Sequence, residues 1–351
     1  MSAELPPELD AIRTRVAWSR GDSVSVLALR GDDARAALLH LAPSRLHLRD
    51  AQARESLLLD GEGRPIADVI VCADDEDYFL LVEGLDTDAL VAHVEAHLPS
   101  GLAPAIEPLA STYEVISVDG PWAWELVAEA LGSDLIALPY LNFFRIDHGY
   151  CVRAGKTGEY GYELVVRRDA ADEVAQMLAA AGEGFGMLRV SDAARSLCRF
   201  ENWFFDPMHV PAGATPIELG LSWRLDSSRS WVGKEAVDAR RATSARRLTC
   251  VVSATELAAG DAVLLGDRSI GELVRAERSP LRGEWIASAL LDREWAHGGI
   301  DRYEVRGARV TTMAPPLVDN RSLYVDPRRH SWRTADEVVF PPLVRGARAA
   351  T

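Results

Sequence analysis

The chain has 351 residues and a formal net charge of −15, with a pI near 5.0. This length exceeds what one small hydrophobic core can organise and indicates two or three domains. The acidic balance argues against nucleic acid and anionic membranes as partners, and no apolar run approaches bilayer-spanning length. Since the first ten residues also lack a basic and apolar leader, we expect a cytoplasmic protein.

Sulfur and imidazole groups give no sign of a metal centre. The four cysteines lie far apart within apolar patterns and are expected to be buried free thiols, at Cys72, Cys151, Cys198 and Cys250. His93 and His97 are four residues apart on a predicted helix, but a third ligand is missing. We therefore predict no metal site.

The first two hundred residues contain a weak two-fold repeat. In residues 24–41 and again in 113–131, a strand ends at a glycine, two residues follow, and an alanine opens an amphipathic helix. Each copy continues with a hairpin, another strand and a second helix. Such a repeat predicts duplicated α+β halves packed side by side.

A carboxylate stands out in the hairpin of the first copy. Two apolar runs within residues 57–72 flank a glycine-containing turn, and alternation places Asp68 on one face with Ile66, Ile70 and Cys72. Both strand faces are apolar, and a buried carboxylate is costly unless it is paired, hydrogen-bonded or protonated. Asp68 is therefore either a functional group or a structural acid paired with one of the many arginines.

The sequence pattern changes near Arg247. Short strands separated by turns predict a small all-β barrel or sandwich. The preceding stretch, 226–246, is rich in Ser and Arg and is interpreted as a linker. We divide the chain into residues 1–110 and 111–245 for the two α+β halves, 246–320 for a β-barrel domain, and 321–351 for a tail along the domain surfaces.

Five motifs then occur in a fixed order. They are D-V-I-V at 68–71, K-T-G-E-Y-G-Y-E-L at 156–164, A-R-S-L-C-R-F-E at 194–201, T-P-I-E-L-G-L-S-W at 215–223 and W-V-G-K-E-A-V at 231–237. This series resembles the aminomethyltransferase family, the T-protein of glycine cleavage and its tetrahydrofolate-dependent relatives. The resemblance implies a three-domain α+β cloverleaf, with the duplicated halves and a C-terminal β-barrel around a folate channel.

The resemblance also assigns site residues. It implies that Asp68 approaches the reactive nitrogens of tetrahydrofolate and is the catalytic residue, and that Glu201 binds the pterin edge, whose adjacent N–H groups suit a carboxylate. Lys234 and Tyr160 occupy further motif positions and are expected to contact the cofactor. For Glu201 the alternative is an ion pair with a nearby arginine, Arg195 or Arg199; for Lys234 it is a surface helix-start lysine.

Departures from the family pattern are concentrated near the second substrate. A small A-G pair is replaced by Asn-Trp, which opens an aromatic segment predicted to form the substrate pocket, with Trp203, Phe204, Phe205 and His209. The tyrosine of the family's G-Y-T-G-E is Lys156, and the Asn after the next strand is replaced by Glu83 or Gly84. The motif positions assigned to folate are thus retained better than those assigned to the second substrate.

The predicted function is a tetrahydrofolate-dependent one-carbon transferase or demethylase acting on a small N-, S- or O-linked methyl, methylene or aminomethyl compound. An acidic lipoyl carrier protein would be repelled at long range by a chain of charge −15 and is not expected as a partner. The alternatives are a non-catalytic folate-binding protein of the iron–sulfur maintenance branch and a folate-binding subunit of an oxidoreductase. The iron–sulfur maintenance branch has a hallmark cysteine in this region, and this chain has none between Ser230 and Glu235.

Overall fold

The structure is a computed structural model that describes residues 5–21 and 23–345. Residues 1–4 and 346–351, which the sequence-based division places in the first half and the tail, lie outside the described residues. The helices of the described part are α1 (Pro7–Thr14), α2 (Ala34–Leu41), α3 (Thr87–His97), α4 (Ala123–Leu131), α5 (Ala171–Gly182), α6 (Asp192–Glu201) and α7 (Lys234–Thr243).

The strands form two open sheets and one closed barrel. The strands of the open sheets are β1 (Ala17–Arg20), β2 (Ser25–Arg30), β3 (Ala53–Leu59), β4 (Pro65–Asp74), β5 (Asp77–Glu83), β6 (Ala105–Pro108), β7 (Tyr113–Asp119), β8 (Phe143–Ile146), β9 (Gly149–Val152), β10 (Gly161–Arg167) and β11 (Leu188–Arg189). The barrel contains β12 (Arg246–Ser253), β13 (Ala262–Leu265), β14 (Arg268–Ser279), β15 (Glu284–Asp292), β16 (Tyr303–Val305) and β17 (Ala308–Met313).

The two open sheets repeat one strand order. The first sheet runs β3-β4-β5-β2-β6 and the second runs β8-β9-β10-β7-β1-β11. Thus β3, β4, β5 and β2 correspond to β8, β9, β10 and β7, which confirms the duplicated α+β halves. One element crosses between them: β1 precedes the first sheet in the chain but pairs antiparallel with β7 of the second.

The predicted hairpin is β3 and β4, and its turn is built by local hydrogen bonds. The Asp60 carboxylate accepts from the backbone N–H groups of Glu62 and Arg64 at 3.0 and 2.9 Å. Gly63 has φ +77°, and an added Cβ there would lie 2.6 Å from Val237. Such turn chemistry fixes the register of the strands and therefore which face each residue occupies.

The C-terminal part closes as predicted. The barrel order is β12-β15-β14-β13-β16-β17, and β17 returns to pair with β12. The stretch interpreted as a linker, 226–246, instead contains α7, whose buried Val237 packs with the core that includes Trp231. The tail lies on the second half, where Trp332 stacks on Phe185 with ring centroids 6.0 Å apart.

Candidate functional site

Asp68 lies in the middle of the first sheet. On β4 it is opposite Leu57 of β3 and Glu83 of β5, and it is only 1% exposed. Its side chain projects from a face of the sheet, where Lys156 and Arg224 cover the carboxylate. The expectation that neither face of the strand is wet is correct for this residue.

Both oxygens of Asp68 are held by cations. Arg224 Nη1 donates to Oδ1 at 2.7 Å, and Lys156 Nζ lies 2.8 Å from Oδ2. Lys156 also donates to Glu83 at 2.9 Å, and Arg199 donates to the same Glu83 oxygen. Burial alone would raise the pKa of Glu83, but the charges of Lys156 and Arg199 lower it to about 2.

We refer to these groups together as the Asp68 cluster, which comprises Glu55, Asp68, Glu83, Lys156, Arg199 and Arg224. Three carboxylates face three cations, so the cluster is neutral as a whole. Lys156 stands where the family pattern has a tyrosine, and Glu83 is one of the two residues, with Gly84, that take the place of its asparagine. Lys156 and Glu83 form an ion pair with each other beside Asp68.

Arg224 connects the cluster to a cavity. It ends a single helical turn, Ser222–Arg224, and its Nη2 donates to Glu55 at 2.8 Å. Its guanidinium lies 5.0 Å from the ring of Trp223. The two carboxylates raise the pKa of Arg224 against the opposing effect of burial. Its Nε, although buried, has no hydrogen-bond partner within the described part of the chain.

Glu201 lies at the end of α6 and is also 1% exposed. The Ser191 side chain caps this helix by accepting from the N–H of Ala194. Arg13 of α1 donates to Glu201 Oε2 at 2.6 Å, and Ser279 of β14 donates to Oε1 at 2.6 Å. Glu201 therefore ties the N-terminal helix and the barrel to α6.

The arginine partner of Glu201 differs from the sequence-based alternative. Arg195 donates to Asp119 and Glu163, both at 3.1 Å, while Arg199 reaches Glu83. An ion pair of Glu201 with Arg195 or Arg199 is thus wrong, because successive turns of α6 aim those side chains at the two sheets. Arg13 is 188 residues from Glu201 in sequence, and no local sequence pattern predicts this pairing.

A second buried acidic group belongs to the second sheet. Ser117, Asp119, Glu163 and Arg195 form what we call the Glu163 cluster, in which the single arginine serves both carboxylates. Burial raises the pKa of Glu163 to about 7 despite the charge of Arg195, and Asp119 adds to the rise.

A cavity of about 750 Å³ opens between the aromatic segment after α6, the turn containing Arg224, and the barrel. The residues predicted for a substrate pocket all line it: Trp203, Phe204, Phe205 and His209. Arg224 and Glu55 of the Asp68 cluster also line it, whereas Asp68 itself lies behind Arg224 and is not part of the wall. Phe200 is part of the wall, whereas the next residue, Glu201, is buried behind it and does not line the cavity.

Trp203 adopts an unusual backbone conformation. Its φ is +63°, in the left-handed region that favours glycine. The indole stacks on Phe200, with ring centroids 6.0 Å apart. Asn202, just before it, donates to the carbonyl oxygens of Thr157 and Cys198 at 2.7 and 3.0 Å. The Asn-Trp pair thus places an aromatic wall where the family pattern has small residues.

The other two predicted cofactor contacts lie away from this cavity. Lys234 begins α7, pairs with Asp238 one turn later, and lies 5.7 Å from the Trp231 ring. The Tyr160 hydroxyl donates to the Val325 carbonyl oxygen at 2.8 Å, against the tail. Neither residue lines the cavity, and their cofactor roles stay predictions.

Comparison with known proteins places the chain in a family. Residues 1–229 match the family model described as the GCVT N-terminal domain. The aminomethyltransferase of Frankia alni is 32% identical over 283 residues, covering 76% of each protein. The chain belongs to the aminomethyltransferase family. The aminomethyltransferase of Mycobacterium avium is 29% identical over 282 residues, again covering 76% of each.

The fold agrees with this membership. The crystal structure of glycine cleavage system aminomethyltransferase T from Bartonella henselae matches this chain with a TM-score of 0.80 and 20% sequence identity, covering 89% of each chain. This confirms the three-domain α+β fold with its C-terminal barrel. Among the described helices, none has the length and apolar character needed to span a membrane.

Proposed function

We propose that this member of the family is a tetrahydrofolate-dependent one-carbon transferase that acts on a small molecule. The observation that supports this most directly is the cavity, because its wall includes the direct ion partner of Asp68. A volume of about 750 Å³ lies within the range of ordinary small-molecule sites. Aromatic walls at Trp203 and Phe204 suit a flat heterocycle and its second substrate.

The residues present fit tetrahydrofolate, which supplies the nitrogen that accepts or releases the one-carbon group. Glu201 would bind the pterin edge, since each of its oxygens accepts one hydrogen bond from the protein and retains acceptor capacity. The ion pair with Arg13 holds this carboxylate in place. A fixed anion can bind adjacent N–H donors without reorganising.

Asp68 is proposed as the catalytic carboxylate. Strand geometry and its two ion partners orient this carboxylate in a dry environment. Arg224 stands between Asp68 and the cavity and is proposed to position it. A carboxylate held in this way is proposed to act through its fixed charge.

A second candidate function is folate binding without turnover. The observation that favours it is the same pair of cations, which neutralises the charge that Asp68 would direct at a reacting group. The two candidates share the folate site and differ only in turnover. A carrier protein is not needed by either, and the acidic chain favours a free small molecule as donor or acceptor.

The test begins with calorimetric titration of tetrahydrofolate. We expect saturable binding by the wild type and a loss of about 1–3 kcal/mol in Glu201→Gln, since buried N–H donors lose their acceptor. Glu159→Gln is the matched control: Glu159 is another buried acid near Arg13, but it binds the tail at Ser322. Its loss should lower the melting temperature and leave folate affinity unchanged.

Turnover is then measured as transfer of a labelled one-carbon group between tetrahydrofolate and a panel of N-, S- and O-methyl compounds. Folate binding with no transfer across the panel would support the second candidate. Absence of folate binding would overturn both. Equal folate affinity of Glu201→Gln and wild type would remove Glu201 from the site.

A further inference from the structure

The charges around the cavity are unusual for this chain. Its wall contains two carboxylates, Glu55 and Asp206, and three arginines, Arg224, Arg247 and Arg275, which gives a net charge of +1 with neutral histidines. The whole chain carries −15. A positive cavity in a strongly acidic protein selects the sign of the ligand that enters it.

The carboxylates of the wall are already occupied. Asp206 accepts from Arg275 at 2.8 Å and pairs with His209 at 2.9 Å. Glu55 accepts from Arg224 at 2.8 Å and from the Tyr140 hydroxyl at 2.9 Å. Both wall acids therefore have partners within the protein, and a cationic substrate would have to displace them.

Asp68 offers no free charge either. Each of its oxygens faces a cation, and the Asp68 cluster is neutral as a whole. An amine-bearing substrate that entered beside Arg224 would meet like charge and no unpaired acid. Burying such a cation without a partner is strongly unfavourable.

One cationic group of the wall keeps unused capacity. Arg247 of β12 lines the cavity and forms no ion pair with any residue that the structure describes. Arg224 donates to Asp68 and Glu55, and its remaining Nε is fully buried and out of reach of a ligand in the cavity. Arg275 is held by Asp206, Glu277 and Ser196. An unpaired guanidinium at a cavity wall suits a carboxylate.

We propose that the second substrate is an anion whose carboxylate is bound by Arg247, at a wall to which Arg224 adds a further positive charge. This rests on the proposed function for the identity of the site and adds the charge class of the substrate. The aromatic neighbours Trp203 and Trp223 line the same cavity and suit an apolar or planar body joined to that carboxylate.

The experiment uses three probes that share one methyl ether and differ in charge: 4-methoxybenzoate, 4-methoxybenzamide and 4-methoxybenzylamine. Their binding to the full chain is measured by calorimetry, with and without saturating tetrahydrofolate. We expect the anion to bind about tenfold or more tightly than the amide, and the amine to bind more weakly than both. A preference for the amine, equal affinity for all three, or no saturable binding of the benzoate would overturn the proposal.

Neighbouring arginines provide a matched pair of variants. Arg247→Gln should lower benzoate affinity about tenfold and leave the amide unchanged, since one charge-assisted contact is lost. Arg246→Gln removes the same charge from the preceding residue of β12. Arg246 pairs with Asp292 and Glu272 and does not line the cavity. It should leave affinity for both probes unchanged, and equal losses in the two variants would overturn the proposal.

Tetrahydrofolate itself carries carboxylates, so folate affinity of Arg247→Gln is compared with that for tetrahydropteroate, which lacks the glutamate. A loss confined to tetrahydrofolate would assign Arg247 to the folate tail and overturn the proposal. Folate binding by the wild type tests the proposed function separately.

Discussion

Glu83 and Glu163 lie on corresponding strands of the two duplicated sheets, β5 and β10, and both are buried. Lys156 and Arg199 both contact Glu83, and its pKa falls to about 2. Glu163 shares Arg195 with Asp119, and its pKa rises to about 7. The same fold thus gives a carboxylate opposite behaviour, because the number of cations that reach it decides the outcome against equal burial.

The largest change in stability should come from removing a cation from the Asp68 cluster, in which every carboxylate has a cationic partner. Lys156→Met leaves Asp68 and Glu83 with one cation fewer and should cost about 3–5 kcal/mol of unfolding free energy. Thermal melting and denaturant unfolding measure it. The double variant Lys156→Met/Glu83→Gln restores a neutral cluster and should recover part of the loss. A double variant no more stable than the single one would contradict this account.

Asp68→Asn tests whether the compensated carboxylate also acts in turnover. Lys156 keeps Glu83 and Arg224 keeps Glu55, so the variant should still fold, with a loss of stability because one buried cation is left without its counter-charge. We expect the rate with the true substrate to fall about 100-fold or more, since the fixed charge is lost. Asp74→Asn changes another ion-paired acid of β4, which binds Tyr150 at 2.7 Å, and should leave the rate unchanged. A wild-type rate in Asp68→Asn would make Asp68 structural.

The two clusters should respond to pH in opposite directions. Glu163 has a folded pKa of about 7, above its usual value near 4.5, so the folded state binds more protons between these values and loses stability as pH rises. Glu83, lowered to about 2, loses its contribution as pH falls from about 4.5 to about 2.

Glu163→Gln isolates the first of these effects. Between pH 5 and pH 8 its unfolding free energy should improve relative to wild type by about 1–3 kcal/mol, because the variant has no carboxyl to ionise. Unfolding curves across that range measure the difference. A difference that does not change with pH would show that Arg195 compensates Glu163 fully.

The smallest effect is expected at an exposed pair. Lys234 and Asp238 are one helical turn apart on α7, and Asp238 is well exposed. Lys234→Ala should cost about 0.3–0.5 kcal/mol, the usual contribution of such helix pairs. Denaturant unfolding at low and high salt measures it. A loss of folate affinity in this variant would instead support the predicted role of Lys234 as a cofactor contact.

The sequence predicts local features of the site well. Alternation in the hairpin predicts that Asp68 is buried, and the aromatic segment from Trp203 lines a cavity as expected. The missed residues are the partners: Arg13, Lys156 and Arg224 reach their carboxylates across 188, 88 and 156 residues. No spacing rule covers such distances, since packing of separate domains brings these groups together.

The predicted linker at 226–246 and the predicted placement of residues 17–20 in the first half are both wrong, for similar reasons. The exposed side of α7 carries charged residues, so 226–246 has the composition of a linker, while only Val237 of that helix is fully buried. The division at residue 110 places residues 17–20, which form β1, with the first half because they precede that sheet in the chain. Its pairing with β7 depends on how the two halves pack, which order along the chain does not specify.

The left-handed backbone of Trp203 has a consequence for how this cavity can change during evolution. Replacing Trp203 by glycine would remove packing of a half-buried indole but also relieve about 1–3 kcal/mol of backbone strain. The two contributions oppose each other, so the cavity can be enlarged here at a small net cost in stability. A single nucleotide separates the tryptophan codon from a glycine codon. Substrate range can therefore drift at this position through one mutational step that the fold tolerates.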